Sequence, residues 1–204
     1  MSIVYILINE AMPGLIKIGR TSTSVEQRIS ELNQPSGIPL PFTCYYAARV
    51  ADSALVEKKL HEAFGDARLR EKREFFRTSP HRAQAALELA ALEDVTPKEE
   101  VIDEFPDDAA RGMVRESNRR KSPSFEQYQI PIGAVLTFTK DANITAIVNG
   151  ERTVDFNGST MSLSASALAA IKSLGYNWKA VQGSAYWEYD GQTLWDRWEN
   201  LREI

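Results

Sequence analysis

The start of the chain alternates apolar runs of strand length with polar turns. Residues Ile3–Ile8 form a continuous apolar run rich in β-branched side chains, which is typical of a strand covered on both faces. A Pro-Gly turn signal at residues 13–14 follows, and Leu15–Arg20 is the returning strand that this turn predicts. The beginning of the chain therefore predicts a β-hairpin.

Helical periodicity begins directly after this hairpin. A capping-box pattern at residues 23–26 precedes apolar positions that recur at helical spacing. Phe42–Val50 predicts a third strand, and the helix after it can be capped by Asp52 or Ser53. An alanine-rich third helix is predicted over residues 83–92. The predicted order of elements is β-β-α-β-α-α.

The last part of the chain has a different pattern, with shorter strands and tighter turns. Four strands are predicted, at Ala134–Thr139, Ile144–Val148, Thr153–Phe156 and Ser159–Ser162. Asn-Gly pairs at 149–150 and 157–158 are strong hairpin signals between them. A helix over Leu163–Leu174, a strand over Tyr186–Tyr189 and a final helix over Gln192–Leu201 follow. This pattern predicts a second small α+β domain.

Charge is distributed unevenly along the chain. The net charge of −4 over 204 residues argues against nucleic-acid binding by bulk charge. Residues 11–82, however, carry 12 Lys or Arg and 8 Asp or Glu, and residues 124–204 carry 6 and 9. An acidic block at 99–108 and a basic block at 111–121 separate them, which is typical of a linker. We therefore predict domains at 1–96 and 124–204, joined by a charged linker at 97–123.

Composition limits the compartment and the kinds of structural site. With Cys44 as the single cysteine and two histidines, the chain has neither an internal disulfide nor a structural zinc site of the usual ligand count. Its apolar runs are too short for a transmembrane helix, and its start lacks the pattern of a secretory signal. These features predict a cytoplasmic protein that does not associate with membranes.

Two motifs and two later residues of the first domain occur in a characteristic order. Residues 4–5 (Val-Tyr) lie in the first strand, residues 17–19 (Lys-Ile-Gly) lie in the second, and Arg28 and Glu57 follow on successive helices. This ordered set resembles the GIY-YIG nuclease superfamily. The first motif stands where that family has the end of G-I-Y, and the second stands where it has Y-I-G, with a lysine in place of the tyrosine.

The second helix and the segment after it indicate a branch of that superfamily. Glu57, His61 and Phe64 share the helix, and Glu-Phe-Phe follows at 74–76. Both features look like the phage-Orf172-like branch, and the resemblance covers about residues 1–80. It implies an α+β fold with a small three-stranded antiparallel sheet flanked by helices.

Strand geometry makes this grouping plausible. Successive side chains of a strand point to opposite faces, so Lys17 lies opposite Ile16 and Ile18. Tyr5 is then expected directly across from or diagonal to Lys17 in the hairpin, within side-chain reach. Arg28 lies at the edge of the apolar stripe of its helix and could hold a phosphate through two hydrogen bonds.

The mechanism that the resemblance implies is metal-assisted hydrolysis of a phosphodiester bond. Glu57 would hold one Mg²⁺ or Mn²⁺, with water and a substrate phosphate as the remaining ligands. Arg28 would stabilise charge on the phosphoryl oxygens. Lys17 or Tyr5 would orient or deprotonate the attacking water. His61 either packs against its helix neighbours, or positions the nucleophile or protonates the leaving group.

Structural roles compete with each of these assignments. A tyrosine in a buried strand is more often part of a core than catalytic, and a helical arginine or glutamate usually forms a solvated salt bridge. Glu74 is expected to cap a segment or to pair with Arg73 or Arg77.

Aromatic residues concentrate near the end of the chain. All four tryptophans lie between residues 178 and 198. Residues 125–204 resemble the restriction-enzyme adenine methylase associated domain through the stretches at 162–167 (Ser-Leu-Ser-Ala-Ser-Ala), 177–178 (Asn-Trp) and 191–194 (Gly-Gln-Thr-Leu), together with Trp187. This resemblance implies sensing of DNA or its modified bases. Aromatic rings can stack on bases, so Trp178 and Trp187 are candidate DNA contacts. Packing in a small core is the alternative, and it is favoured for Trp178 and Trp195.

The two resemblances imply a metal-dependent DNA endonuclease, in the setting of restriction or defence against foreign or modified DNA. A homodimer would supply the second active site that a double-strand break requires. The alternatives are a DNA-binding or modification-sensing regulator that does not cleave, and a structure-selective repair nuclease. The basic residues expected to contact DNA are Arg20, Arg119, Arg120 and Lys121.

Overall fold

The computed structural model describes residues 2–34, 40–70, 73–99, 122–178 and 181–202. The chain divides into two compact units, Met1–Arg115 and Glu116–Ile204. This boundary falls inside the predicted linker at 97–123, most of which lies outside the described residues. Each unit combines helices with one antiparallel sheet, so the α+β class is confirmed. Among the described residues, no helix is long and apolar enough to cross a bilayer.

The sheet of the first unit has five strands, two more than the sequence predicts. They are β1 (Ile3–Ile8), β2 (Ile16–Thr21), β3 (Thr43–Arg49), β4 (Phe75–Phe76) and β5 (Glu93–Asp94). Their order is β4-β2-β1-β3-β5, and all neighbours are antiparallel. The three predicted strands form the centre. The edge strands have two residues each, too few to show a period-2 pattern.

Three helices of the first unit begin at side-chain caps. They are α1 (Val25–Asn33), α2 (Ser53–Ala63) and α3 (Pro80–Glu88). Ser24 caps α1, one residue after the predicted capping threonine, and Asp52 caps α2 through the N–H groups of residues 54 and 55. Helix α3 ends before the predicted residue 92, because Leu92 N–H already donates to Arg49 O (2.9 Å) beside β5.

Both faces of β1 are buried, as its apolar run predicts. Tyr5 and Leu7 lie on one face and pack with Val25 and Ile29 of α1 and with Phe42. The remaining β1 side chains are also buried; α2 contacts β1 and β2, and α3 contacts β1. Residues on the Tyr5 face therefore sit under α1 at the centre of the sheet.

In its described residues the second unit has a six-stranded sheet and two α-helices. Its strands are β6 (Val135–Phe138), β7 (Asp141–Val148), β8 (Thr153–Phe156), β9 (Ser159–Ser162), β10 (Trp187–Tyr189) and β11 (Gln192–Thr193), in the order β11-β10-β6-β7-β8-β9. Its helices are α4 (Leu163–Ser173) and α5 (Leu194–Arg202). Asn157 and Gly158 both have positive φ, which confirms a tight turn between β8 and β9. The predicted last helix starts two residues late, because Gln192–Thr193 pairs with β10.

Candidate functional site

Tyr5 and Lys17 lie on the same face of the sheet. In the β1–β2 register Tyr5 is opposite Gly19, and Lys17 is two residues away along β2, opposite Leu7. Paired residues of antiparallel strands share a face, so Tyr5 and Lys17 are diagonal neighbours, as predicted. The Tyr5 ring covers Gly19, where an added Cβ would lie 2.6 Å from Tyr5 Oη. The second motif therefore needs its glycine to make room for the tyrosine of the first.

Arg28 reaches Tyr5 from helix α1. Its Nε donates to Tyr5 Oη at 3.4 Å, and its Nη1 donates to Glu31 Oε2 at 2.9 Å. Burial raises the pKa of Tyr5, although the hydrogen bond and charge of Arg28 act in the opposite direction. Tyr5 is therefore a neutral phenol at neutral pH. The Arg28 side chain remains about one-third exposed (36%), so it can contact a ligand from the solvent side.

Lys17 is a buried cation with a carboxylate partner. Its Nζ donates to Glu74 Oε2 and lies 5.6 Å from the Phe75 ring centroid. Burial raises the pKa of Glu74, but the bond and charge of Lys17, with smaller contributions from His61 and Arg28, outweigh it and lower the pKa overall. The pair is therefore an ammonium and a carboxylate that meet at the edge of the sheet.

The predicted pairing of Glu74 with Arg73 or Arg77 is thus wrong. Glu74 comes directly before β4, and Ile18 N–H donates to its main-chain oxygen at 3.2 Å. Strand β4 itself pairs with Ile16 and Lys17. This pairing carries Glu74 to a residue 57 positions away in the chain. In the sequence, the Glu-Phe-Phe motif at 74–76 is the one signal that marks Glu74, and nothing in that motif indicates Lys17 as its partner.

Glu57 lies beside β2 and is engaged in an ion pair. Arg20 Nε donates to Glu57 Oε2 at 2.9 Å, and the Glu57 side chain is 17% exposed. Within the described parts of the chain, no group of three or more His, Cys, Asp or Glu could hold a metal ion. A carboxylate oxygen suits a hard cation that keeps water and phosphate as its other ligands, so Glu57 fits Mg²⁺ or Mn²⁺ by its chemistry.

His61 is half-buried and contacts the sheet. Its Nε2 is 3.1 Å from Ile18 O, and its ring centroid is 5.0 Å from that of Phe76. Since a carbonyl only accepts hydrogen bonds, this geometry assigns the proton to Nε2. The contacts support the packing role that the sequence left open for His61.

The charges around Tyr5 connect these pairs into one cluster. Glu74 and Glu57 both raise the pKa of Tyr5 through their charges, and Arg28 and His61 both act on Glu74. The structure therefore forms three pairs, Tyr5 with Arg28, Lys17 with Glu74 and Arg20 with Glu57, whose charges act on one another, and it adds Glu74 to the candidate residues.

The remaining DNA-contact candidates are placed differently. Arg119, Arg120 and Lys121 lie outside the described residues. Trp178 and Trp187 are 1% and 0% exposed, and Trp187 Nε1 donates to Ser166 Oγ at 3.0 Å. Neither ring is open to a base in this conformation, so stacking by these two residues is not supported and the core alternative is.

Trp187 is buried next to an equally buried Tyr186, which departs from the alternation expected along a strand. Alternation along a strand would place Tyr186 and Trp187 on opposite faces, yet both are fully buried. Tyr186 belongs to the turn that precedes β10, and β10 begins at Trp187. The period-2 rule therefore does not apply to this pair of residues.

Comparison with known families bears on the first unit. Residues 2–91 match the T5orf172 domain, a GIY-YIG-like and phage-Orf172-like family of nuclease-like, DNA-binding domains. No curated protein and no solved structure matches the chain significantly. The first unit is therefore similar to the T5orf172 family, and these comparisons lend no support to the resemblance suggested for residues 125–204.

Proposed function

We propose that the chain is a metal-dependent DNA endonuclease whose active site is built from Tyr5, Lys17, Arg28 and Glu57. The observation that carries the proposal is the arrangement around Gly19. Tyr5 of β1 covers Gly19 of β2 and bonds to Arg28 of α1, and Glu57 of α2 pairs with Arg20, the residue after Gly19. The four proposed residues follow one another along the chain in the order of the nuclease motif set. Similarity of residues 2–91 to a nuclease-like family supports the same function.

Glu57 is the proposed metal ligand. A Mg²⁺ or Mn²⁺ ion bound there would neutralise charge on the scissile phosphate and on the leaving oxygen. Glu57 must first leave Arg20, its partner in the free protein. Because Arg20 Nε would then lose its carboxylate, Arg20 becomes available to a substrate phosphate. Binding of metal and substrate would thus replace the Arg20–Glu57 ion pair by two interactions, one between Glu57 and the metal and one between Arg20 and a phosphate.

Arg28 is the proposed group for the phosphoryl oxygens. Its Nε is directed to Tyr5, which fixes the plane of the guanidinium. Its Nη1 contacts Glu31 at the exposed side, a surface pair that a phosphate can replace at small cost. A planar guanidinium held in this way can donate two parallel hydrogen bonds to a phosphate.

Tyr5 and Lys17 are proposed to position the attacking water rather than to remove its proton as free bases. Burial keeps the Tyr5 phenol neutral, and Lys17 is a cation held by Glu74. A neutral phenol can both donate and accept a hydrogen bond, and a fixed ammonium attracts the developing negative charge.

A cleavage assay tests this proposal. Purified full-length protein is incubated with plasmid and phage DNA, with and without Mg²⁺ or Mn²⁺ and with a chelator. We expect metal-dependent cleavage that Glu57→Gln and Arg28→Ala each reduce by at least about a hundredfold, the scale of removing one transition-state contact. Glu93→Gln is the matched control, because Glu93 pairs with Arg49 at the opposite edge of the sheet. Wild-type cleavage by Glu57→Gln would overturn the site assignment.

The proposed setting is restriction or defence in the cytoplasm, with base-modified DNA as one candidate substrate. Substrates that carry different base modifications test this setting within the same assay. A nicked plasmid as the first product indicates one active site per event. A linear first product indicates a homodimer acting on both strands.

One observation favours a second candidate, a DNA-binding regulator that does not cleave. Glu57 is already occupied by Arg20, and the described residues offer no group of three or more His, Cys, Asp or Glu that could hold a metal. DNA binding without hydrolysis, across several metals and modified substrates, would establish this alternative.

A further inference from the structure

A short hairpin carries a group of arginines next to the proposed active site. Leu69 N–H donates to Phe75 O (2.9 Å), and Arg77 N–H donates to Ala67 O (2.7 Å), so residues 67–70 and 73–77 run antiparallel. Arg73 N–H donates to Arg70 O at 2.9 Å and closes the turn. We call these two segments the arginine hairpin. Residues 71–72 lie outside the described structure.

The arginines of this hairpin are exposed or close to the surface. Arg70, Arg73 and Arg77 are exposed. Arg68 is partly buried; its Nε donates to Arg73 O at 2.8 Å, and its guanidinium lies 5.7 Å from the Phe76 ring centroid. Arg68 therefore stabilises the hairpin, while the other three arginines extend from it.

These arginines differ from others in the same unit. Arg20, Arg28 and Arg49 each pair with a carboxylate. Within the described residues, no carboxylate lies within ion-pair distance of the hairpin arginines. Asp66 precedes the hairpin, and the carboxylate of Glu74 faces Lys17. The exposed part of the hairpin thus presents positive charge that the described part of the chain leaves uncompensated.

The base of the hairpin is continuous with the site. Phe75 packs below Lys17, Phe76 packs on His61, and the main chain of Glu74 is bonded to Ile18. A nucleic acid bound at Arg28 carries further phosphates on either side of that contact, and β4, at the base of the hairpin, pairs directly with β2 of the proposed site. Regularly spaced phosphates would then meet the extended arginines.

We propose that the arginine hairpin is a DNA-binding surface, in which Arg70, Arg73 and Arg77 contact backbone phosphates of the duplex beside the scissile bond. The proposal rests on the proposed function for the identity of its ligand. Guanidinium groups bind phosphates through paired hydrogen bonds and release counterions as they do so. Contacts of this kind position the duplex without reading its sequence.

The test is the salt dependence of DNA binding by the full-length protein in chelator, where no cleavage occurs. A triple variant, Arg70→Gln with Arg73→Gln and Arg77→Gln, is compared with wild type by fluorescence anisotropy on a labelled duplex. Removing one arginine–phosphate interaction should reduce the slope of log K against log salt by about 0.9, so the slope of the triple variant should fall by roughly two to three units. Binding at low salt should weaken at least about tenfold.

The matched control removes the same charge elsewhere on the first unit. Arg49→Gln with Lys58→Gln and Lys59→Gln also deletes three cations, each of which pairs with a carboxylate away from the hairpin. An equal effect of the two triple variants would overturn the proposal, since it would show a response to bulk charge. Circular dichroism checks folding. If the hairpin triple variant misfolds, Arg70→Gln and Arg73→Gln are measured singly, each with an expected slope change of about 0.9.

The outcomes separate this surface from the nuclease activity. If the wild-type protein cleaves DNA in a metal-dependent way and the hairpin variant binds DNA as tightly as wild type, the proposed DNA-binding surface is contradicted and the endonuclease activity is supported. If DNA binding depends on the hairpin but no cleavage occurs under any condition, the proposed DNA-binding surface is supported and the proposed endonuclease activity is contradicted. A duplex RNA of equal length is measured in parallel, and tighter binding of it would overturn the assignment to DNA.

Discussion

The ring of Tyr5 lies directly over Gly19, its partner across the β1–β2 pair, and a Cβ on Gly19 would lie within 2.6 Å of Tyr5 Oη. The same hydroxyl accepts from Arg28. One glycine therefore determines the position of a buried phenol and, through it, of an arginine on another element. This relationship links the two motifs physically.

Replacing Gly19 tests that link. Gly19→Ala should displace the Tyr5 ring and weaken its bond to Arg28, because the new Cβ would lie 2.6 Å from the hydroxyl of this buried tyrosine. We expect a loss of about 1–3 kcal/mol in the free energy of unfolding, as for an overpacked core, measured by urea denaturation. Cleavage should fall at least about tenfold, as expected when a catalytic geometry shifts.

Gly65→Ala is the control for this change. Nothing lies within 4 Å of a Cβ built at Gly65, and its φ is not in the left-handed region. Its unfolding free energy and its cleavage rate should stay near those of wild type. Equal effects of the two substitutions would contradict the packing explanation.

Removing the charge of Glu74 should destabilise the fold in a pH-dependent way. The pKa of Glu74 is lowered in the folded state, so its contribution is present above the ordinary glutamate range near ~4.3 and is lost as pH falls through the lowered value. Glu74→Gln should cost roughly 1–2 kcal/mol at neutral pH, less than the full ~1.5–3 kcal/mol of a hydrogen bond to a charged group because the Glu74 side chain is 42% exposed. The difference from wild type should shrink on acidification.

Urea denaturation at neutral and acidic pH measures this difference. Glu62→Gln is the control: the pKa of Glu62 is also lowered, by its bond to Lys59, but that pair is on the surface. Its effect should be smaller than that of Glu74→Gln. A Glu74→Gln penalty that stays constant from neutral to acidic pH would show that charge is not the cause.

Releasing Glu57 from Arg20 should strengthen metal binding in the free protein. Arg20→Gln removes the partner that occupies the carboxylate. A partly exposed salt bridge is worth about 0.2–1 kcal/mol, so affinity for Mn²⁺ should rise up to about fivefold. Titration of Mn²⁺ followed by electron paramagnetic resonance measures this affinity without DNA. Arg49→Gln, which frees Glu93 instead, should leave the Mn²⁺ affinity unchanged. An affinity that Glu57→Gln leaves at the wild-type value would exclude Glu57 as the ligand.

In the second unit, Ser166 should be needed for stability. Its hydroxyl accepts the buried Trp187 Nε1–H at 3.0 Å. Ser166→Ala would leave that donor without its acceptor and should cost about 1–3 kcal/mol in unfolding, followed by tryptophan fluorescence. Ser173→Ala removes a hydroxyl from the exposed end of the same helix and should cost less. Equal costs would mean that the Trp187 bond contributes nothing.

Patterns along the chain were sufficient for the central elements. Apolar periodicity predicted β1, β2 and β3 and the helices between and after them, because burial of one or both faces leaves a local signature. The same alternation placed Tyr5 and Lys17 on one face, and the register confirms it. In the second unit, the Asn-Gly signal predicted the turn between β8 and β9.

Relationships between distant residues required the tertiary structure. The ion pair of Lys17 with Glu74 depends on a two-residue strand, and that of Arg20 with Glu57 depends on how α2 packs beside β2. The burial of Trp187 depends on where β10 begins.

The sequence by itself determined which side chains are buried and which share a face of a strand or helix, since both properties follow from periods of 2 and 3.6 residues. Only the folded chain decided which charged group meets which. That choice depends on packing between segments far apart in the chain, and no local pattern encodes it.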